Sequence, residues 1–170
     1  MIRLFGALLL VTGSSVIGVM AVFRLRDREK DLSGLIRGLE GMKRGLLSRT
    51  EGLKEMLCDA ANQTEGRAGA FFRSLHQGID RLDDGSFGQL WKDTLKEDPL
   101  RCGQSELAEL EPLGEILGRY DFDSQSEALD RAIAALEFSL TEAVERRKSL
   151  GRVYGTMGVS IGVLLAIMLI

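Results

Sequence analysis

Side chains that could perform chemistry are few and widely separated in this sequence. It has a single histidine, His76, and two cysteines, Cys58 and Cys102, which do not form the close pairs typical of zinc sites or redox motifs. No serine or cysteine stands in a recognisable nucleophile motif, and no glycine-rich phosphate loop is present. The carboxylates fall at positions that we expect on the solvated faces of helices, which disfavours paired acid and base catalysis. The sequence therefore predicts no catalytic residue, no cofactor and no metal site.

Four residues near the middle of the chain have spacings that suit a corner between two helices: Gly114, Gly118, Asp121 and Gln125. Gly118 can adopt the left-handed conformation that ends one helix, and Asp121 can cap the next. Gln125, one turn later, can hydrogen bond back to the loop. Two interpretations stay open: the corner is purely structural, or it is a contact surface for a partner protein.

Glycine accounts for 20 of the 170 residues, and eight of these glycines form two quartets with the same 4-3-4 spacing. Each quartet lies on one face of a helix. In water such a stripe costs about 1 kcal/mol per glycine relative to alanine, so a helix that carries it needs packing partners. In lipid, small residues at this spacing let helices pack closely, although membrane helices also tolerate glycine generally. The first quartet is Gly34, Gly38, Gly41 and Gly45, and the second, a predicted helix-packing face, is Gly151, Gly155, Gly158 and Gly162.

Charged residues are confined to the middle of the chain. Arg3 is the only one before Arg24, and none follows Arg152. The uncharged blocks 4–23 and 153–170 are close to the length of about 20 apolar residues that crosses a hydrocarbon core. We therefore predict a transmembrane helix in each block. A cleaved secretory signal is the alternative for the first block.

Basic residues border the middle segment, residues 24–152, at both ends. By the positive-inside rule, this arrangement places the middle segment in the cytoplasm and both termini outside the cell membrane. The whole chain has 22 basic and 25 acidic residues, so the basic footprint of a nucleic-acid-binding protein is absent. The two bordering clusters are Arg24, Arg26, Arg28 and Lys30 on one side, and Arg146, Arg147, Lys148 and Arg152 on the other.

The apolar residues of the middle segment recur at helical spacing, and alternation of period two is nowhere sustained. The sequence therefore predicts an all-α fold: an antiparallel helical bundle flanked by N- and C-terminal transmembrane helices. The first helix carries an apolar seam and is interrupted near Thr50–Gly52. The seam consists of Leu32, Leu35, Leu39, Met42, Leu46, Leu53 and Met56.

Local signals mark where further helices begin and end. A second helix is predicted from about Glu65 to Leu82. Ser86 and Ser105 are placed to cap the next two helices, and Pro112 should kink or split the second of these. From Asp121 a last helix of about 48 residues runs into the second predicted span.

The order of these motifs resembles the stage III sporulation protein AB family over essentially the whole chain. Thr50-Glu51-Gly52-Leu53 stands where such proteins often carry Thr-Pro-Leu, and Pro112 is atypical. The resemblance rests on Leu113-Gly114, Leu117-Gly118, Asp121, Gln125, Leu129, a basic cluster, Arg152, Tyr154, Gly158 and a hydrophobic C-terminus, with Gly6, Gly18, Gly66, Phe71, Phe72 and Trp91 in support.

The resemblance implies a non-enzymatic scaffold in the mother-cell membrane of an endospore-forming bacterium. Such proteins are similar to the inner-membrane platform protein of type II secretion and type IV pilus machines. The implied assembly is a secretion-like channel between mother cell and forespore. The implied partners are a cytoplasmic sporulation ATPase of the AA type, other membrane proteins of the same operon and membrane lipid, and a second copy of the chain is a further candidate partner.

Two other classes of function are alternatives to this platform protein. One is a transmembrane sensor, or a generic secretion accessory protein, with a helical ligand-binding domain. The sensor would need that domain outside the cell and an output domain inside. The other is a membrane enzyme, which the shortage of polar residues in both predicted spans disfavours.

Overall fold

The computed structural model describes residues 2–48, 52–82, 86–97, 100–117, 119 and 121–169. Of the helical residues 2–19, 21–22 and 150–169 it describes the backbone only. The described residues contain seven helices and no strand, which confirms the predicted all-α class. The helices are α1 (Ile2–Ser48), α2 (Leu53–Gln63), α3 (Gly66–Ile79), α4 (Phe87–Glu97), α5 (Gln104–Leu110), α6 (Leu113–Ile116) and α7 (Phe122–Leu169).

The chain divides into two compact units. One unit, Arg28–Thr141, is a helical bundle that contains most of α1, the helices α2 to α6 and the first part of α7. The other consists of Met1–Asp27 and Glu142–Ile170. In that unit the described side chains include Arg146, whose Nη2 donates to Glu142 Oε1 at 2.7 Å across one helical turn.

Among the described residues, no helix has the length and apolar character needed to cross a membrane. Residues 4–23 and 153–169 of the two predicted spans lie in the helical backbone of α1 and α7. Apart from Met20 and Phe23, the side chains of these two spans lie outside the described residues. The two spans therefore stay predictions.

Ion pairs connect two pairs of helices in the bundle that run in opposite directions. Lys54 at the start of α2 pairs with Asp80, which directly follows α3, at 2.5 Å. Lys43, late in α1, pairs with Asp130, early in α7, at 2.5 Å. The predicted antiparallel packing is thus present for both pairs of helices.

The core of the bundle forms where the helical periodicity predicts it. Leu32, Leu35, Leu39 and Met42 are completely buried, whereas Leu46 near the end of α1 is half-buried. Burying a side chain of this size contributes about 1.5–3 kcal/mol. The other large apolar side chains of the core are Ile36, Met56, Leu57, Phe71, Phe72, Leu75, Trp91, Leu100, Leu110, Leu113, Leu117, Leu129, Ile133 and Leu136.

The predicted breaks are mostly confirmed. Helix α1 ends at Ser48 and α2 begins at Leu53, while α5 ends two residues before Pro112, where α6 takes over. Ser86 caps α4 through a hydrogen bond from the Gln89 amide to Ser86 Oγ at 3.2 Å.

The prediction for Ser105 is wrong. Gly103 is the residue before α5, and it makes no side-chain cap because it has no side chain. Ser105 lies inside α5, because the helix begins one residue earlier, at Gln104. Its hydroxyl donates to the Glu106 carboxylate at 3.4 Å.

Candidate functional site

Gly114, the first residue of the predicted corner, lies under the indole ring of Trp91. Gly114 belongs to α6 and Trp91 to α4, and both residues are buried. A methyl group at position 114 would overlap the Cβ and Cγ atoms of Trp91. Because Gly114 has no side chain, α4 and α6 can pack closely at this point.

Trp91 also provides a hydrogen-bond donor for the backbone where the helix breaks before Pro112. The indole Nε1–H donates to the carbonyl oxygen of Leu110 at 2.8 Å. Leu110 is the last residue of α5, where carbonyl groups lack partners within the helix. The contact between Trp91 and the end of α5 thus offsets the local cost of splitting this helix.

A series of aromatic contacts connects Trp91 with α1. The ring of Phe71 meets Trp91 edge-on at a centroid distance of 5.2 Å, and it meets Phe72 in the same way at 5.3 Å. The ring of Phe72 lies directly against Gly38 of α1. Edge-to-face pairs of this kind stabilise by about 0.5–1.5 kcal/mol beyond the burial of area.

Two glycines of the first quartet, Gly34 and Gly38, form the surface on which α3 packs. A methyl group at Gly34 would come within 2.7 Å of Ala68 Cβ, and one at Gly38 would overlap the ring of Phe72. The two glycines and their two partners are both four residues apart, so the same turn of each helix is matched. All four glycines of the quartet are buried. The packing partner of Gly34 and Gly38 is therefore α3, whereas Gly41 faces Gln63 at the end of α2.

The second quartet, Gly151, Gly155, Gly158 and Gly162, lies in the helical backbone of α7, in its final third. The packing of these four residues lies outside what the structure describes. Their assignment as a helix-packing face stays a prediction.

The remaining corner residues lead into α7. The Asp121 carboxylate accepts the backbone amide of Ser124 at 3.3 Å and its hydroxyl at 2.8 Å, which is the predicted N-cap. These hydrogen bonds lower the pKa of Asp121, the Ser124 hydroxyl contributing most. The backbone N–H of Gln125 donates to the backbone carbonyl of Asp121 at 3.1 Å, as part of the first turn of α7. Gly118 lies outside the described residues, so its left-handed conformation stays a prediction.

A buried polar cluster lies where the sequence predicts only solvated carboxylates. Asp31 on α1 is 8% exposed, and Glu106 on α5 is 2% exposed. Asp31 Oδ2 accepts Arg67 Nη1 at 3.1 Å and the Arg101 amide at 3.2 Å. Glu106 Oε1 accepts Arg28 Nη2 at 2.7 Å. The cluster ties α1 to α3, to the segment before α5 and to α5 itself.

Burial and hydrogen bonding act in opposite directions on Glu106. Burial raises the pKa of its carboxyl, but hydrogen bonds from the Ser139 hydroxyl, its own backbone amide and the Arg28 guanidinium outweigh this effect and lower the pKa. Glu106 is therefore ionised at neutral pH. Because Ser139 lies on α7, the cluster also reaches the last helix.

Cys102 adjoins this cluster and is not activated as a nucleophile. Burial raises the pKa of its thiol to about 12, and the carboxylates of Glu106 and Asp31 act in the same direction. The thiolate is the reactive form of cysteine, so the neutral thiol has little nucleophilic character. The role of the cluster is to hold helices together.

One signal in the sequence points to the buried cluster. Asp31 precedes Leu35 by four residues and Met42 by eleven, and all three side chains are buried. An acidic residue at an apolar position of a seam requires a cationic partner when it is buried. The sequence does not specify that partner, because Arg67 is 36 residues away.

Comparison with known proteins identifies the family. The sequence model of stage III sporulation protein AB matches residues 3–170. No curated protein sequence matches the chain. A solved structure of a stage III sporulation protein AB is similar in fold, with a TM-score of 0.64 and 24% sequence identity over 71% of this chain and 96% of that one. The chain belongs to the stage III sporulation protein AB family.

Proposed function

We propose that this protein is a non-enzymatic membrane platform component of a secretion-like channel between mother cell and forespore. Membership of a sporulation family over residues 3–170 is the observation that carries the proposal. In this arrangement residues 4–23 and 153–170 are the membrane spans. Residues 24–152 face the mother-cell cytoplasm and contact an ATPase of the AA type.

The design of the bundle supports a scaffold. The interactions among its polar groups connect helices: Asp31 with Arg67, and Glu106 with Arg28 and Ser139, join four of them. In both ion pairs the carboxylate is buried and the arginine is partly exposed. Loss of either arginine would leave a buried charge without its partner, so such a cluster keeps its helices in one arrangement. A domain that transmits contacts between partners requires this kind of fixed surface.

The lengths of α1 and α7, which extend from the bundle into the two uncharged blocks, are consistent with two membrane anchors. Helix α1 includes the uncharged block 4–23, and α7 includes residues 153–169 of the second block. Each block is continuous in secondary structure with a helix of the bundle. Both ends of the bundle sequence therefore lead directly into a segment with the length and composition of a span.

Reporter fusions test the topology. A reporter enzyme that is active only in the cytoplasm should be active when it is fused after residue 100. A reporter enzyme that is active only outside the membrane should be active when it is fused after residue 170. Edman sequencing of the membrane-bound chain should find the first span retained. Cleavage of residues 24–152 by protease added to intact protoplasts would reject the platform.

A second experiment tests the ATPase contact. The full chain should retain the purified ATPase at low salt and release it as salt rises, because a surface rich in charge forms screened contacts. Tethering at a membrane raises the effective concentration, so weak binding is sufficient. Absence of binding at protein concentrations near the millimolar range would reject the ATPase as a direct partner.

A further inference from the structure

Phe138 is the most exposed large apolar side chain among the described residues. It lies on α7 with 75% of its surface accessible, between the acidic residue Glu137 and the buried Ser139. Ala134 one turn earlier and Arg131 two turns earlier are also exposed. A phenyl ring in water at this position contributes nothing to the core of its own chain.

A groove of complementary chemistry lies between α4 and α5 of the same unit. Its volume is about 110 Å³, and Leu95 and Leu107 provide its apolar lining. Lys92 and Lys96 stand at its edge together with Glu111. Lys92 Nζ forms an ion pair with Glu115 Oε1 at 2.6 Å. Lys96 is exposed and makes no ion pair with a described residue.

The ring and the groove lie at the same level of the bundle. Glu106 precedes Leu107 on α5 and is hydrogen bonded to Ser139, which directly follows Phe138 on α7. Because Phe138 is exposed, it does not occupy the groove of its own chain. Two copies that stand side by side in the same orientation would bring the ring of one to the level of the groove of the other.

We propose that Phe138 inserts into the Leu95–Leu107 groove of a second copy of this chain, with Glu137 facing Lys96. A single aromatic anchor in an apolar pocket with a charge pair at its rim is a common arrangement for a binding hot spot. The contact joins two different surfaces, so it adds copies head to tail and closes into a ring if the rotation permits. The common orientation of the copies rests on the proposed membrane attachment.

Variants of the full chain, purified in mild detergent, test the contact by light scattering over a range of concentrations. Phe138→Ala and Lys96→Glu should each raise the dissociation constant for self-association at least about tenfold. Combining Lys96→Glu with Glu137→Lys should restore association. Arg37→Glu, a reversal at an exposed position of α1, is the matched control and should leave association unchanged. Circular dichroism should be unchanged in all four, because every substituted residue is exposed.

Disulfide trapping locates the contact. In a background with Cys58 and Cys102 replaced by serine, one tagged copy carries Glu137→Cys and a differently tagged copy carries Lys96→Cys, so that the ring of Phe138 is kept. Oxidation should join the two tags, and copies without added cysteine should stay separate.

A full chain that is monomeric at every concentration, a Phe138→Ala chain that associates like the wild type, or a double reversal that fails to restore association would each overturn the proposal. So would a loss of ATPase binding in Phe138→Ala with self-association intact, since the ring would then serve a different protein. None of these outcomes affects the reporter fusions, which test the platform separately.

Discussion

The ring of Phe72 occupies the space that a side chain at Gly38 would fill. A Cβ atom at position 38 would overlap the Cε2, Cζ and Cδ2 atoms of this ring, which is completely buried. The glycine therefore sets the distance between α1 and α3. Its neighbour Gly34 has the same relationship with Ala68, so the approach is close over one full turn.

Gly38→Ala should destabilise the protein, and Gly41→Ala should not. Overpacking a core typically costs about 1–3 kcal/mol, more than the gain of about 1 kcal/mol from replacing a helical glycine by alanine. At Gly41 the nearest atom to an added methyl group is the end of the Gln63 side chain at 3.3 Å, which can move aside. Urea denaturation of the two variants should give free-energy changes of opposite sign. Equal changes would show that close packing is not the function of this stripe.

Gly114→Ala should disturb the environment of the only tryptophan. Displacement of the ring weakens the hydrogen bond from Trp91 Nε1 to Leu110, and a buried acceptor without a partner costs about 1–3 kcal/mol. The expected result is a red shift of tryptophan fluorescence and a lower midpoint of thermal unfolding. Trp91→Phe should lower stability in a similar way. Wild-type fluorescence and stability in Gly114→Ala would contradict the contact.

Glu106 should make stability depend on pH in the acidic range. Its folded-state pKa lies below the usual value of 4.5, so its contribution is fully present above that value and is lost as pH falls through the lower folded pKa. Glu106→Gln should therefore lower stability at pH 7 and reduce the loss between about pH 5 and pH 2. The control is Glu109→Gln, an exposed position on the same helix. Parallel pH profiles for wild type and Glu106→Gln would reject the role of this carboxylate.

Cys102 should resist alkylation in the folded protein. With a thiol pKa of about 12, its thiolate fraction at pH 8 is on the order of 10⁻⁴. Mass spectrometry after iodoacetamide treatment should find Cys102 unmodified until urea unfolds the chain. The single variants Cys58→Ser and Cys102→Ser assign the labelled site. Modification of native Cys102 at the rate of the unfolded chain would contradict its burial.

Asp121 distinguishes the structural interpretation of the corner from the partner interpretation. Asp121→Ala removes the cap of α7 and should lower the melting temperature, whereas Asp121→Asn should retain most of it because asparagine also caps helices. Asp123→Ala is a control that leaves the hydrogen bonds between Asp121 and Ser124 in place. A variant with unchanged stability that fails to support sporulation would favour a partner surface.

Local order is the part of this protein that the sequence predicts well. The buried seam from Leu32 to Met42, the break at Pro112 and the caps at Ser86 and Asp121 each depend on residues within a few positions of one another. The length of α7, predicted at about 48 residues, is 48. Helical periodicity and capping are short-range effects, so a single sequence contains enough information for them.

The tertiary structure alone decided which distant residues meet. Asp31 pairs with Arg67 across 36 positions, and Glu106 pairs with Arg28 across 78. It also placed Gly34 and Gly38 against α3 and Gly114 against Trp91, and it turned two apparently solvated carboxylates into buried ones. Each of these outcomes depends on how helices pack in three dimensions. Helical spacing indicates which face of a helix is buried, but the partner on that face follows from shape and charge across the whole core.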